Sequence, residues 1–209
     1  YVLDKWFQQK VAPNCTGQAE MVRYADDFVV MFSNTKSAEE FKTKLKIRLE
    51  ECGLGLAEEK TRVVEFGEMS YLKALKEDRK TGTFDFLGFT HYCSKDRKGR
   101  FSVKRKTSRK KFMQKIENMK RWIRELKCGT KEFLQRVIKV LNLKLRGHYR
   151  YYGINGNFVM LDKFYRICER EIFRWLNKRS QRKSYNWEQF RKLLEYNPIE
   201  RPTIYHSFI

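Results

Sequence analysis

Two kinds of hydrophobic spacing divide the chain. As far as about residue 106 the apolar positions come in short runs and alternations, and from Thr107 onward they recur every three or four residues. Residues 1–10 predict a short helix closed by Pro13, Asn14 and Gly17. Met21 to Tyr24 and Phe28 to Phe32 are apolar stretches around the polar pair Asp26-Asp27, which predicts a β-hairpin with a two-residue acidic turn. Ser37, with Glu40 in capping-box spacing, opens a helix whose inner face is Phe41, Leu45 and Leu49 and whose end is Gly53. Thr61–Phe66, centred on Val63 and Val64, predicts a strand, and the polar stretch Lys73 to Gly82 predicts a surface loop. Phe84 and Phe86 alternate with polar residues, Leu87-Gly88 predicts a bend before Phe89 and Tyr92, and Phe101 and Val103 mark a further strand after a turn at Asp96 to Gly99.

The second pattern is helical. Phe112, Ile116, Met119, Ile123 and Leu126 are spaced 4, 3, 4 and 3, the stripe of an amphipathic helix with its basic residues outside. Gly129 stops that helix and Thr130 caps the next, with Phe133, Val137, Ile138, Leu141 and Leu145 inward and Gly147 as an expected interruption. Phe158 to Asn177 predicts a third helix with Leu161, Phe164, Tyr165, Cys168, Ile172 and Trp175 inward, and Trp187 to Tyr196 a short fourth one ended by Pro198. The fold class that follows is α+β: an antiparallel sheet with a packed helix in residues 1–94, then an all-helical domain in 95–209.

Charge sharpens that division. Residues 1–94 carry 14 basic and 15 acidic side chains, while residues 95–192 carry 31 basic and 8 acidic, and the whole chain has a net charge of +21. A field of that size far exceeds what solubility needs and attracts a polyanion, of which nucleic acid is the commonest large example. With 41% apolar residues the chain has enough to bury to exclude wholesale disorder. The longest apolar run, Phe28 to Phe32, is far short of the ~20 residues that span a bilayer, so no membrane partner is expected. The five cysteines lie 35 to 41 residues apart, which argues against a disulfide framework or a zinc cluster and for a reducing, bacterial-type cytoplasm, with an organelle as the alternative.

The chemistry concentrates at Asp26 and Asp27. Adjacent carboxylates on a hairpin repel, and a hard divalent cation offsets the repulsion. Mg²⁺ suits carboxylate oxygens, with phosphate and water completing its shell. In two-metal phosphoryl transfer such carboxylates hold the ions that serve the attacking and leaving oxygens.

Arg23-Tyr24-Ala25-Asp26-Asp27-Phe28-Val29 resembles the catalytic hairpin of reverse transcriptases, particularly those encoded by group II introns. Gly53-Leu54-Gly55-Leu56-Ala57-Glu58-Glu59-Lys60-Thr61 is similar to the next polymerase motif, and the resemblance implies Lys60 as general acid for the leaving pyrophosphate. Phe86-Leu87-Gly88-Phe89 resembles the primer-grip hairpin. Leu143 to Gly153 and Trp175 to Arg182 resemble the helical thumb, or maturase domain, of the intron proteins.

The resemblance implies a partial palm followed by a thumb. It implies catalysis by Asp26, Asp27 and Lys60 with Mg²⁺ on the two aspartates. RNA contacts are expected at Lys104, Arg105, Lys106, Arg109, Lys110, Lys111, Arg146, His148, Tyr149, Arg150, Arg179 and Arg182. The tyrosines are read equally well as core residues or as stacking platforms for bases. The implied partners are group II intron RNA, template RNA, primer DNA, deoxynucleotides and target DNA, with the oligomeric state open. The fingers and a first palm strand with a further aspartate have no counterpart before Tyr24, so this stretch alone is expected not to polymerise DNA. The alternatives are a non-catalytic RNA-binding maturase and a retron-type reverse transcriptase.

Overall fold

The computed structural model describes residues 2–126, 131–178 and 185–207. Its strands form a two-stranded sheet, β1 (Ala19–Tyr24) with β2 (Asp27–Phe32), and a three-stranded sheet in the order β3 (Thr83–Phe86), β4 (Phe89–Lys95), β5 (Phe101–Thr107). The chain forms two compact units, the first up to Leu87 with His91–Lys104, the second Gly88–Thr90 with Arg105 onward.

In the first unit α1 (Val2–Trp6) continues through a π-helical turn, Phe7–Val11, and a 3-10 turn that carries Pro13. The β1–β2 register pairs Ala19 with Phe32, Met21 with Val30 and Arg23 with Phe28. Opposed residues share a face, and the apolar members of these pairs pack with Phe7, Val11, Phe41 and Leu45. Phe41 of α2 (Thr35–Glu51) is the hub, with its ring 5.9, 5.8 and 5.3 Å from those of Trp6, Phe7 and Phe32. The fully buried Phe7, Phe41 and Leu45 each remove enough apolar surface from water to stabilise the unit by ~1.5–3 kcal/mol. Gly53 ends α2 at φ 69°, as its position predicts.

Three expectations for this unit are corrected. Asn34, not Ser37, caps α2: its Oδ1 accepts from the backbone N–H of Ser37, which sits buried in the first turn. Thr61–Phe66 forms no strand. It is held instead by Arg62 donating to the Thr83 carbonyl at 2.8 Å and by Phe66 packing edge-on to Phe84. Lys73 to Gly82 is not all loop, because α3 (Glu68–Lys76) runs through its first half and buries Ala74.

The second unit is a helical assembly. It comprises α4 (Arg109–Glu125), α5 (Lys131–Tyr152), α6 (Phe158–Asn177) and α7 (Trp187–Tyr196). The stripes read from sequence meet in one core: Ile116, Met119 and Ile123 with Val137, Ile138, Leu141, Leu145, Leu161, Phe164, Cys168, Ile172 and Trp175. Gly147 does not interrupt α5. The helix passes through it to Tyr152, because Leu145, Tyr149 and Tyr152 on either side are buried and hold the turn. Gly129 and Thr130 lie outside the described residues.

Asn157 pins the start of α6. Its Oδ1 accepts from the Thr107 N–H at 2.9 Å, and its Nδ2 donates to Thr107 Oγ1 at 2.9 Å and to the Tyr152 carbonyl at 2.8 Å. The segment after α7 lies along α5, where Asn142 bonds the Pro198 carbonyl and the Glu200 N–H, and Arg146 pairs with the Glu200 carboxylate at 2.8 Å.

Candidate catalytic hairpin and cationic surface

The β1–β2 turn is one residue earlier than the sequence suggests. Tyr24 pairs with Asp27, so Ala25 and Asp26 make the turn and Asp27 is the first residue of β2. Ala25 takes φ 52°, left-handed backbone that costs a residue with a Cβ about 1–2 kcal/mol. Arg23 steadies it by donating to the Ala25 carbonyl at 3.1 Å. The same guanidinium holds Asp4 of α1 at 2.9 and 2.5 Å and keeps that carboxyl below the usual carboxylate range. Nothing in the sequence spacing links Asp4 to Arg23; only the packing of α1 under the hairpin does.

Asp27 shares its sheet face with Tyr24, Val22 and Val29, the face turned away from the core. Val22, Tyr24 and Met31 on that face are 51%, 67% and 48% exposed, so the carboxylate stands beside an open apolar strip. Asp26 and Asp27 are both exposed, and neither carboxylate has a hydrogen bond or ion pair among the described residues. In kind, the donors fit a hard divalent cation: unpaired carboxylate oxygens on a braced turn. In number they are two, since no group of three His, Cys, Asp or Glu side chains comes together among the described residues.

Lys60 closes a turn in which its N–H and that of Thr61 bond the Ala57 carbonyl at 3.0 Å, and its side chain is exposed. Glu58 in the same turn is tied to α2 by Lys46 at 2.7 Å, and that hydrogen bond holds the Glu58 carboxyl low. No hydrogen bond or ion pair joins Lys60 to Asp26 or Asp27 among the described residues.

The bend expected at Leu87-Gly88 is present. Both residues have positive φ, 49° and 78°, the pattern of a tight two-residue hairpin turn between β3 and β4. Phe86 precedes it in β3 and Phe89 follows it. Phe89 packs on Tyr151 and Tyr152, and the Gly88 carbonyl accepts from the Ser108 N–H at 2.9 Å. A Cβ on Gly88 would lie 3.2 Å from the Tyr152 hydroxyl oxygen, so the turn has little room for a side chain.

The cationic residues differ in what they can touch. Lys106, Arg109, Lys110, Lys111 and Arg150 are exposed, and Lys104 and Arg105 partly so. Arg146 is exposed but engaged by Glu200. His148 and Tyr149 face inward, which corrects their expected role at the RNA surface. The His148 ring stacks on Phe164 at 4.1 Å and lies 4.8 Å from Tyr152. Burial, with Lys115 second, pushes its pKa down to about 4. Tyr149 is fully buried and donates its hydroxyl to the Glu200 carbonyl at 3.1 Å. The i, i+3 and i+4 spacing from Leu145 already places both on the inner face of α5. Arg179 and Arg182 lie outside the described residues.

Residues 1–91 match the family model for a reverse transcriptase (RNA-dependent DNA polymerase). That span contains the acidic hairpin, the Lys60 turn and the Leu87-Gly88 turn, and it ends before the cationic helices. The match supports a nucleotidyltransferase of the RNA-directed DNA polymerase kind, with template nucleic acid and nucleotides as its partners. No curated protein matches the chain.

Proposed function

We propose that the chain is the later part of the palm, and the thumb, of a group II intron reverse transcriptase that also binds its intron RNA as a maturase. The observation that carries the reading is the exposed, unpaired Asp26-Asp27 pair at a braced hairpin, inside a span that matches the reverse transcriptase model. Asp26 and Asp27 would hold Mg²⁺, which neutralises charge on the transferring phosphoryl group when bound. The rigid turn keeps both carboxylates in place. Lys60 gives its proton to the departing pyrophosphate. The Leu87-Gly88 turn offers backbone groups to the primer end, and Lys104, Arg105, Lys106, Arg109, Lys110, Lys111 and Arg150 neutralise RNA phosphates.

A purely RNA-binding maturase is the second reading. It is favoured by the small number of carboxylates at the hairpin against the heavy cationic charge of residues 95–192. The double substitution Asp26→Ala with Asp27→Ala in the intact protein separates the two. Loss of cDNA synthesis from an RNA template with unchanged RNA affinity supports the polymerase. A loss of intron splicing in that variant, with folding retained, contradicts the assignment of RNA binding to the cationic half.

A further inference from the structure

We propose that α6 and α7 carry a site for one unpaired nucleotide of a single-stranded RNA, formed by Trp187, Arg166, Arg170 and Arg191. It rests on the reading that the cationic unit binds RNA, and it assigns a base-reading contact to residues other than those of the stretch 104–111. An open cavity of about 290 Å³ lies between the two helices, lined by these four residues and Glu169. Arg166 and Arg170 are four apart on α6 and share a face; Arg191 stands one turn after Trp187 on α7.

The indole is held and yet available. It stacks on Phe173 at 4.0 Å and 13°, meets Phe190 edge-on at 5.7 Å, and remains 43% exposed. A flat aromatic face fixed from behind is what a nucleobase stacks on. The charges around it select a polyanion. Three guanidiniums oppose one carboxylate. Arg166 is partly committed to Asp162 at 2.7 Å, whereas Arg170 and Arg191 have no ion-pair partner among the described residues. Their planar forks suit phosphate oxygens on either side of a stacked base. Glu169 accepts from the Tyr165 hydroxyl at 3.2 Å, and its remaining acceptor sites suit a ribose hydroxyl or an exocyclic amine. A phosphorylated peptide shares the anion but calls for apolar pockets beside it, and the lining contains one aromatic residue and four charged ones.

The test is fluorescence anisotropy of a labelled oligouridylate with the whole chain at several salt concentrations. Trp187→Ala is expected to weaken binding about tenfold, a typical loss for one base stack. Trp187→Phe keeps a ring and is expected to retain most of the affinity. Arg170→Gln with Arg191→Gln, both exposed and so compatible with folding, is expected to weaken binding and lower the salt slope by roughly 0.7 for each phosphate left without its cation. If these variants bind as the parent does while charge reversals at Arg109 and Lys110 weaken binding, the pocket is wrong and the RNA-binding reading stands. If the parent chain does not bind the oligonucleotide, both fall. Competition by a phosphotyrosine peptide at equal concentration also overturns the assignment.

Discussion

Arg23 reaches from β1 to Asp4 on α1 with both ends of its guanidinium, at 2.9 and 2.5 Å, and its Nη1 donates to the carbonyl of Ala25. One side chain thus braces the turn that carries Asp26 against the element beneath it. Arg23→Met is expected to speed amide exchange at Ala25–Phe28 more than at the far end of the hairpin, as hydrogen exchange would read. Equal protection in variant and parent would remove Arg23 from this role. Ala25→Gly is expected to raise stability by about 0.5–1 kcal/mol in urea denaturation, since glycine adopts φ 52° without steric cost.

Asn157 is fully buried, and its side chain makes three hydrogen bonds. Asn157→Leu leaves the Thr107 N–H and hydroxyl and the Tyr152 carbonyl without that partner. Each orphaned buried group costs ~1–3 kcal/mol, so a loss of about 3 kcal/mol or more is expected in chemical denaturation. A loss under about 1 kcal/mol would show that the bonds are readily replaced.

How much of the fold is legible in the sequence follows from whether the physics acts along the chain or across it. Helical periodicity is local, so the spans of α4, α6 and α7 and the inner faces of α4 and α6 read directly, down to Cys168 and Ile172 at the centre, while α5 reads as far as Gly147, where its interruption is wrongly expected. The same periodicity places His148 and Tyr149 inside, while charge and motif point them outward. The hairpin is legible as apolar runs around acids; its one-residue turn offset is not, because alternation does not say which polar residue pairs first. Thr61–Phe66 reads as a strand by its valines, yet strand identity needs a ladder partner, and what holds it is an arginine and a ring. The Trp187 pocket leaves no trace in spacing on either helix alone, since its residues meet only where α6 and α7 pack.

His148 sets a pH dependence. Neither ring nitrogen has a hydrogen-bond partner among the described residues, and burial lowers its pKa from 6.5 to about 4. The unfolded chain therefore binds a proton that the folded chain refuses between those values. Stability from this residue is complete above pH 6.5 and falls as pH drops toward 4, by about 3 kcal/mol at most. His148→Phe keeps the stack on Phe164 and is expected to flatten the melting temperature over that interval. An unchanged pH profile would exclude His148 as its source.

Tyr149 and the exposed cations separate packing from binding. Tyr149→Phe removes the hydroxyl bonded to Glu200 and is expected to cost about 1 kcal/mol of stability with no change in RNA affinity. Charge reversal at Arg105, Lys106, Arg109 and Lys110 is expected to do the opposite, weakening RNA binding and flattening its salt dependence. An RNA affinity that follows Tyr149 instead would return that residue to the RNA surface.

The metal-holding role proposed for Asp26 and Asp27 is tested most directly by titrating the isotope-labelled chain with Mn²⁺ and following paramagnetic broadening of its amide signals. Selective broadening at Ala25–Phe28 that Mg²⁺ competes away, and that Asp26→Asn with Asp27→Asn abolishes, is the expected result. Broadening elsewhere with the hairpin untouched, or broadening there that survives the double substitution, would contradict it.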